Sequence, residues 1–371
     1  MKIAFIGIKG LPAQYGADRV VEAIVQRLAS HHEITVYCSS HEISAGSIYP
    51  GVRLIRVPCL RGKYSHMTSV DFLAAVHAVF IGNYDLIHVH NIEASFILPI
   101  LRLHFKVIAT AHGKTHSVEK WSPPAKILLR LTEFMFAYWA NVRTSVSKSH
   151  GLEWEQKYHK EVQYIPNGVD SEPVIDEQAA QRLLDELGIN GEGYILFAAG
   201  RILPLKGCHL LVEAYQNLKS RNHLVIVGDL TQMPGYVSQL RELAKGNNRI
   251  HFVPFVSSKS QLMGLINRAT IFVFPSINEA MSMMLLEVAS IGTPIICSDI
   301  GENSAVMYDH AIYFKSGDSN DLSKKLEWAL NNRDLIQEMG KKARDLVQNK
   351  YDWISITAQY EKLYQQAINS N

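Results

Sequence analysis

Short, unbroken runs of apolar and β-branched residues, separated by helical patterns, set the first limit on how this chain can fold. In the first half KIAFIGI, EITVYCSS, VRLIRVP, DLIHVHN and KVIATAHG have the character of strands. VVEAIVQRLA and the residues around 70–80 and 93–103 have helical spacing. Runs that stay apolar without strict alternation are what strands look like when a parallel sheet is covered on both faces. Parallel neighbours need long crossovers, which the helical patterns supply. Near YIPNGVD, residues 164–170, the pattern restarts: YILFAAG, HLVIVGD, IHFVPF, IFVFPS and PIICSD are again short strands, with helices such as HLLVEAYQNLK between them. The Pro-Asn-Gly turn there makes a hinge. Two doubly wound, Rossmann-like α/β domains are predicted, residues 1–165 and 166–352, with a cleft between them facing the carboxyl ends of both sheets.

A chain of 371 residues is too long for one ordinary core, and 47% hydrophobic with 19% charged residues suits two soluble, well-filled domains. Cys38, Cys59, Cys208 and Cys297 are scattered, without CxxC spacing, which predicts reduced buried thiols in a cytoplasmic protein. MKIAFIGIKG is too short and too broken by glycine for a signal peptide, and no apolar run approaches the roughly 20 residues that span a bilayer. Residues 1–165 carry 18 Lys and Arg against 12 Asp and Glu, whereas the rest carries 19 against 23. Such asymmetry suits a first domain that meets something anionic, a phospholipid surface or a phosphorylated acceptor; ordinary scatter of surface charge accounts for it equally well. No nucleic-acid partner is expected.

PSINEAMSMMLLEVASIGTPIICSDIG, residues 275–301, carries two carboxylates, Glu279 and Glu287. The first lies in a loop at a carboxyl strand end and the second inside a helix predicted over about 281–291, on the order of 12 Å further along the axis. That spacing does not suit two carboxylates sharing a proton or gripping one metal. It suits two grips on separate hydroxyls of an extended ligand, with amides near Met281, Ser282 and Met283 facing an anion between them. The expected ligand is a nucleotide-sugar. Two incidental surface glutamates are the plain alternative, but Glu287 sits in an apolar run where a charge needs a partner. In YILFAAGRILPLKG, Arg201 lies just past a strand end and Lys206 five residues on, placed for a diphosphate.

The order GRILPLKG, VPFVS and PSINEAMSMMLLEVASIGTPIICSDIG resembles the retaining glycosyltransferases of family 4, and nearly the whole chain takes part. IGIKGLPAQYG is similar to the family's first glycine-bearing loop, TAHG to its histidine loop and YIPNGVD to its domain junction. KGLPAQYG with the Lys and Trp of HGKTHSVEKW further resembles a bacterial subgroup that makes surface polysaccharides, some members of which transfer rhamnose. The resemblance implies a GT-B fold, a hexosyl- or deoxyhexosyltransferase with no cofactor, a nucleotide-diphosphate-sugar donor and a glycan or lipid-linked acceptor. It implies that the terminal helix, residues 353–371, packs back on the first domain, that this domain binds acceptor and that the second binds donor.

By position, the resemblance gives Arg201 and Lys206 the donor diphosphate, Glu279 the hydroxyls of the transferred sugar and Glu287 the ribose. Phe255 and Val256 then meet the base, and Gly10 lets a backbone amide approach the donor. His112 stands beside the reacting sugar, with a structural strand-end histidine as the other reading; His88 and His90 are expected in core or supporting roles. The first loop departs from the family's two glycines and glutamate, reading Tyr15-Gly16-Ala17-Asp18-Arg19, so Gly16 and Asp18 are carried over as the acceptor loop. No Asp-x-Asp pair occurs, so cations and helix dipoles are expected in place of a metal. The family retains anomeric configuration by same-face attack, without a protein nucleophile.

The stretch 121–143 is basic and aromatic with helical periodicity, a core helix whose Lys126, Arg130 and Arg143 could instead face an anionic membrane. Three other functions compete. A non-hydrolysing nucleotide-sugar epimerase needs further acid/base groups. A nicotinamide-dependent oxidoreductase needs a GxGxxG that IGIKGLPAQYG lacks. A binding protein that has lost catalysis would fit the altered first loop.

Overall fold

The computed structural model describes residues 1–13, 16–42, 49–62, 65–113, 123–189, 191 and 193–369. Tyr15 of the first loop, and the Lys and Trp of HGKTHSVEKW, lie outside the described residues. Two compact units emerge: Met1–Gly168 together with Trp353–Asn371, and Val169–Asp352. The first unit therefore runs to Gly168 rather than residue 165, and takes back the terminal helix.

In the first unit the strands are β1 (Lys2–Ile6), β2 (Glu33–Ser39), β3 (Val52–Val57), β4 (Leu86–His90), β5 (Lys106–Ala111), β6 (Val142–Ser145) and β7 (Gln163–Tyr164). Among the described residues they form one sheet in the order β3-β2-β1-β4-β5-β6-β7, and every pairing is parallel. The second unit holds β8 (Tyr194–Arg201), β9 (His223–Asp229), β10 (Ile250–Val253), β11 (Ile271–Phe274), β12 (Ile295–Ser298) and β13 (Ile312–Phe314), ordered β10-β9-β8-β11-β12-β13 and again all parallel. Strand order reverses beside β1 in one sheet and beside β8 in the other. Ligands of open α/β sheets bind at such reversals, outside the carboxyl strand ends.

The strands are buried on both faces, as continuous apolar runs require: Ile3 to Ile6, Ile195 to Ala198 and Ile271 to Phe274 are all nearly inaccessible. The terminal helix Trp353–Asn369 buries Trp353, Ile356, Tyr360, Leu363, Tyr364 and Ala367, a stripe at helical spacing. Each large member of such a stripe contributes about 1.5–3 kcal/mol. Gly168 permits its entry, because a Cβ there would stand 2.5 Å from the Trp353 ring. The chain enters and leaves the second unit side by side, with Val169 N–H donating to the Tyr351 carbonyl at 2.7 Å.

Three elements differ from the sequence reading. The helix in 121–143 runs Pro123–Trp139, and Arg143 belongs to β6. Its guanidinium donates to the carbonyls of Ala137 at 2.7 Å and Ala140 at 3.1 Å. It closes the end of that helix, where carbonyls lack intrahelical partners, and is not a membrane-facing cation. The segment read as helical at 93–103 is a 3₁₀ turn, Ile92–Ile97, followed by one α-helical turn, Leu98–Leu101. The helix expected from about 281 starts at Met283, with Ser282 as its cap.

Candidate active site

In the second unit, two loops leave the sheet at its reversal. One follows Arg201, the last residue of β8, and carries Lys206; the other follows β11 and carries Glu279. They are tied by backbone: Ile277 N–H donates to the Leu205 carbonyl at 2.9 Å. Gly207 sits at φ +67°, where a Cβ would fall 2.0 Å from the Pro275 carbonyl oxygen, so only glycine lets the loops approach this closely. Ser298, at the end of β12, donates its hydroxyl to the Ser276 carbonyl and steadies the second loop from the other side. On this support Lys206 Nζ meets Glu279 Oε1 at 2.5 Å, the ammonium 29% and the carboxylate 11% exposed. A charge-assisted contact of this kind orients both groups at the carboxyl edge.

The helix after Glu279 spans Met283–Ile291. Ser282 caps it, its hydroxyl accepting from Leu285 N–H at 3.4 Å, so the remaining amides of the first turn belong to Met283 and Met284. Met281 is buried just before it. Glu287, in the middle of this helix, is 2% exposed and lies 3.5 Å from Lys259 Nζ, which also contacts Asp170 at 3.1 Å. The partner demanded by a carboxylate in an apolar run is thus Lys259, which opens the helix Lys259–Arg268. Sequence reasoning missed it: SSKSQL carries no sign of a residue 28 positions ahead. Phe255 is half-exposed and Val256 partly so, just past the end of β10 at the sheet's edge. Lys206 and Glu279 are brought together, and Glu287 belongs to a separate pair.

In the first unit the reversal lies between β1 and β4. Gly7, which the sequence reading passed over, is the glycine required there: at φ +95° a Cβ would lie 2.0 Å from the His90 carbonyl oxygen. Its carbonyl accepts from Asn91 Nδ2 at 2.7 Å, closing the turn. Gly10 has ordinary φ, and a Cβ there would come within 3.0 Å of Glu42 Cβ. Gly16 opens the helix Gly16–Leu28 with open space around it. Asp18, placed by the resemblance in an acceptor loop, is 3% exposed and turned inward, accepting from Lys9 N–H at 3.2 Å. Burial pushes its carboxyl up to about 7 despite that bond. Asp18 holds the loop after β1.

His112 stands just past β5, half-buried, with Nε2 2.9 Å from Nδ1 of His90. His88 and His90 are fully buried on the same face of β4. His88 is bonded at both nitrogens, to Tyr364 at 2.8 Å and Thr110 at 2.6 Å. Burial drives these histidines to their neutral forms: His88 is pushed down to about 3, His112 to about 4, and His90 well below its ordinary value. Among the described residues no three His, Cys, Asp or Glu side chains gather as metal ligands would.

Comparison with known proteins agrees in both halves. A family described as Glycosyltransferase Family 4 matches residues 15–173, and one described as Glycosyl transferases group 1 matches residues 180–346. N-acetyl-alpha-D-glucosaminyl L-malate synthase of Bacillus anthracis is 23% identical over 380 residues, 99% of this chain and 98% of that protein. Sucrose-phosphate synthase from Thermosynechococcus elongatus superposes with a TM-score of 0.83 at 18% identity, covering 100% of both chains. Anabaena HepE, solved with UDP and glucose, gives 0.80 at 17% identity, covering 99% of this chain and 100% of that one. Two parallel sheets with these neighbours make the fold GT-B. With a family 4 match through its first unit and a group 1 match through its second, this chain is a glycosyltransferase and belongs to family 4.

Proposed function

We propose that this protein moves a hexosyl or deoxyhexosyl unit from a nucleotide-diphosphate-sugar to a glycan or lipid-linked acceptor, with retention of configuration and without a metal cofactor, in bacterial polysaccharide synthesis. The Lys206–Glu279 contact carries the reading. A cation held at the reversal of an α/β sheet suits a diphosphate, and the carboxylate orienting it suits sugar hydroxyls. In this scheme Arg201 and Lys206 take the charge that develops on the leaving diphosphate, aided by the amides of the Met283–Ile291 helix start. Glu279 holds the transferred sugar, Glu287 the ribose, and Phe255 with Val256 the base. In the first unit, Gly10 and Gly16 give backbone access and His112 binds a sugar hydroxyl. The acceptor attacks on the face from which the diphosphate leaves, and that phosphate takes the acceptor proton.

A peripheral membrane contact belongs to the same proposal. The helix Pro123–Trp139 turns Ile127, Leu128, Leu131, Phe134 and Tyr138 to the surface, a stripe at helical spacing beside exposed Arg130. Apolar side chains beside a cation suit an anionic bilayer that bears a lipid-linked acceptor. No helix among the described residues is long and apolar enough to cross a membrane.

Thermal shifts with UDP-, GDP-, ADP- and dTDP-sugars identify the donor, because a ligand of the native state raises the melting temperature. With that donor, nucleoside diphosphate should appear only when a polyprenyl-diphosphate-linked sugar is supplied. Conversion of the donor to another sugar nucleotide without acceptor would instead mark an epimerase. Sedimentation with anionic vesicles, lost on Leu128→Glu with Leu131→Glu, tests the membrane contact.

A further inference from the structure

β4 and β5 pair in parallel with His88 opposite Ile108 and His90 opposite Thr110. Alternation along a strand puts His88 and His90 on one face, and Thr110 and His112 on the same side of the next strand. The rings therefore stack in a file, with centroids 4.0 Å apart for His88 and His90, and 5.2 Å for His90 and His112. His88 satisfies both of its nitrogens through Tyr364 and Thr110, so its place is explained by the core alone. His90 is different. Its Nδ1 meets His112, while its Nε2 is buried without a hydrogen-bond partner among the described residues; the Phe5 ring lies 5.8 Å from the His90 ring, centroid to centroid. A leucine would fill this position without stranding a polar atom. What the histidine adds is its bond to His112.

One proton is shared across that bond, and it can be placed in two ways. If His112 donates from Nε2, the proton of His90 must sit on its own Nε2, a buried N–H with no acceptor. If His90 donates from Nδ1, only a bare ring nitrogen is left unsatisfied. Orphaned buried N–H groups are the rarer of the two in native proteins. His112 matters here on the reading just proposed, that it hydrogen-bonds the transferred sugar. We propose that His90 is a positioning residue, donating Nδ1–H to Nε2 of His112. That bond holds the imidazole in the tautomer with its proton on Nδ1, ready to donate to a sugar hydroxyl.

Nitrogen-15 NMR of the histidine rings, with His112 assigned by its loss in His112→Gln, should show the His112 proton on Nδ1; a proton on Nε2 overturns the proposal. Kinetics with the donor from the thermal-shift screen give the second arm. His90→Asn can place an amide N–H near the position of Nδ1 and should recover most of the turnover. His90→Gln, which places its amide near Nε2, and His90→Leu should lower kcat roughly ten- to hundredfold, with a smaller change in KM. Equal kcat in the Asn and Gln variants, at melting temperatures near wild type, overturns it. If His90→Leu does not fold, the Asn and Gln comparison still decides. His112→Ala separates the readings: unchanged turnover there removes the sugar-binding role of His112, while the ring spectrum still decides which nitrogen His90 supports.

Discussion

At the carboxyl edge of the first sheet the ionisable groups are neutral and packed against one another, as in His88, His90 and His112. At the same edge of the second they are charged and paired, as in Lys206 with Glu279 and Lys259 with Glu287. Topology does not account for the contrast, since both sheets are parallel and both reverse beside their first strand. What differs is the surroundings: burial penalises a charge on the histidines, whereas the lysines are partly exposed, each beside a carboxylate. The same architecture thus presents a neutral hydrogen-bonding edge in one unit and an anion-seeking edge in the other.

The contrast is broken most directly at Lys206. Lys206→Ala should lower turnover by roughly 10²–10³, the scale of losing one group that stabilises developing charge, and Glu279→Ala should be comparable. Nucleoside-diphosphate release checks this, and unchanged turnover in both variants would remove the proposed site.

Acidity should strike the first unit. A histidine whose folded value lies below its ordinary 6.5 contributes stability above that pH and loses it as pH falls towards 3–4. Asp18, raised from 3.8 to about 7, works the other way, favouring the fold more as pH falls through that window. Burial raises Asp71 in the same unit as well, so three histidines against two aspartates give a net loss of roughly 1.4 kcal/mol per pH unit below 6.5. Melting temperature followed from pH 7.5 to 5 should fall, and Asp18→Asn should steepen the fall. A flat profile would show that the histidines accept protons in place.

Lys259→Ala leaves Glu287 buried without that cation. The cost should be about 2 kcal/mol in denaturant unfolding, below the 3–5 kcal/mol of a fully buried pair because Lys259 is half-exposed. Lys259→Arg should restore most of it. Phe255→Ala should do least, raising KM for the donor by about threefold to tenfold at constant kcat, as expected when stacking on a base is lost.

Much of this was legible in the residues. Apolar runs such as IFVF and KIAFI announced parallel strands. β6, β7 and β13 escaped because VRTS, QY and IYF are too short to show a period. The helix before β6 has no glycine or proline to mark its end, so its pattern ran on into Arg143. Gly7 was passed over because only the fold reveals which carbonyl a Cβ would strike. Lys259 and the bond between His90 and His112 are contacts between distant positions, which local spacing does not encode.

The first unit is finished by the helix at the other end of the chain, with the whole of Val169–Asp352 threaded between. On a ribosome adding about 5–20 residues per second, its sheet leaves the exit tunnel on the order of 10–40 s before Tyr364 arrives to bond His88. During that interval the face of β4 and β5 that will receive the helix is uncovered, and the segment free to fold meanwhile is the second unit. Nascent chains halted before residue 353 should therefore hold an ordered inserted unit beside an incomplete host, so a C-terminal truncation that removes only this helix would damage the domain built from the first residues.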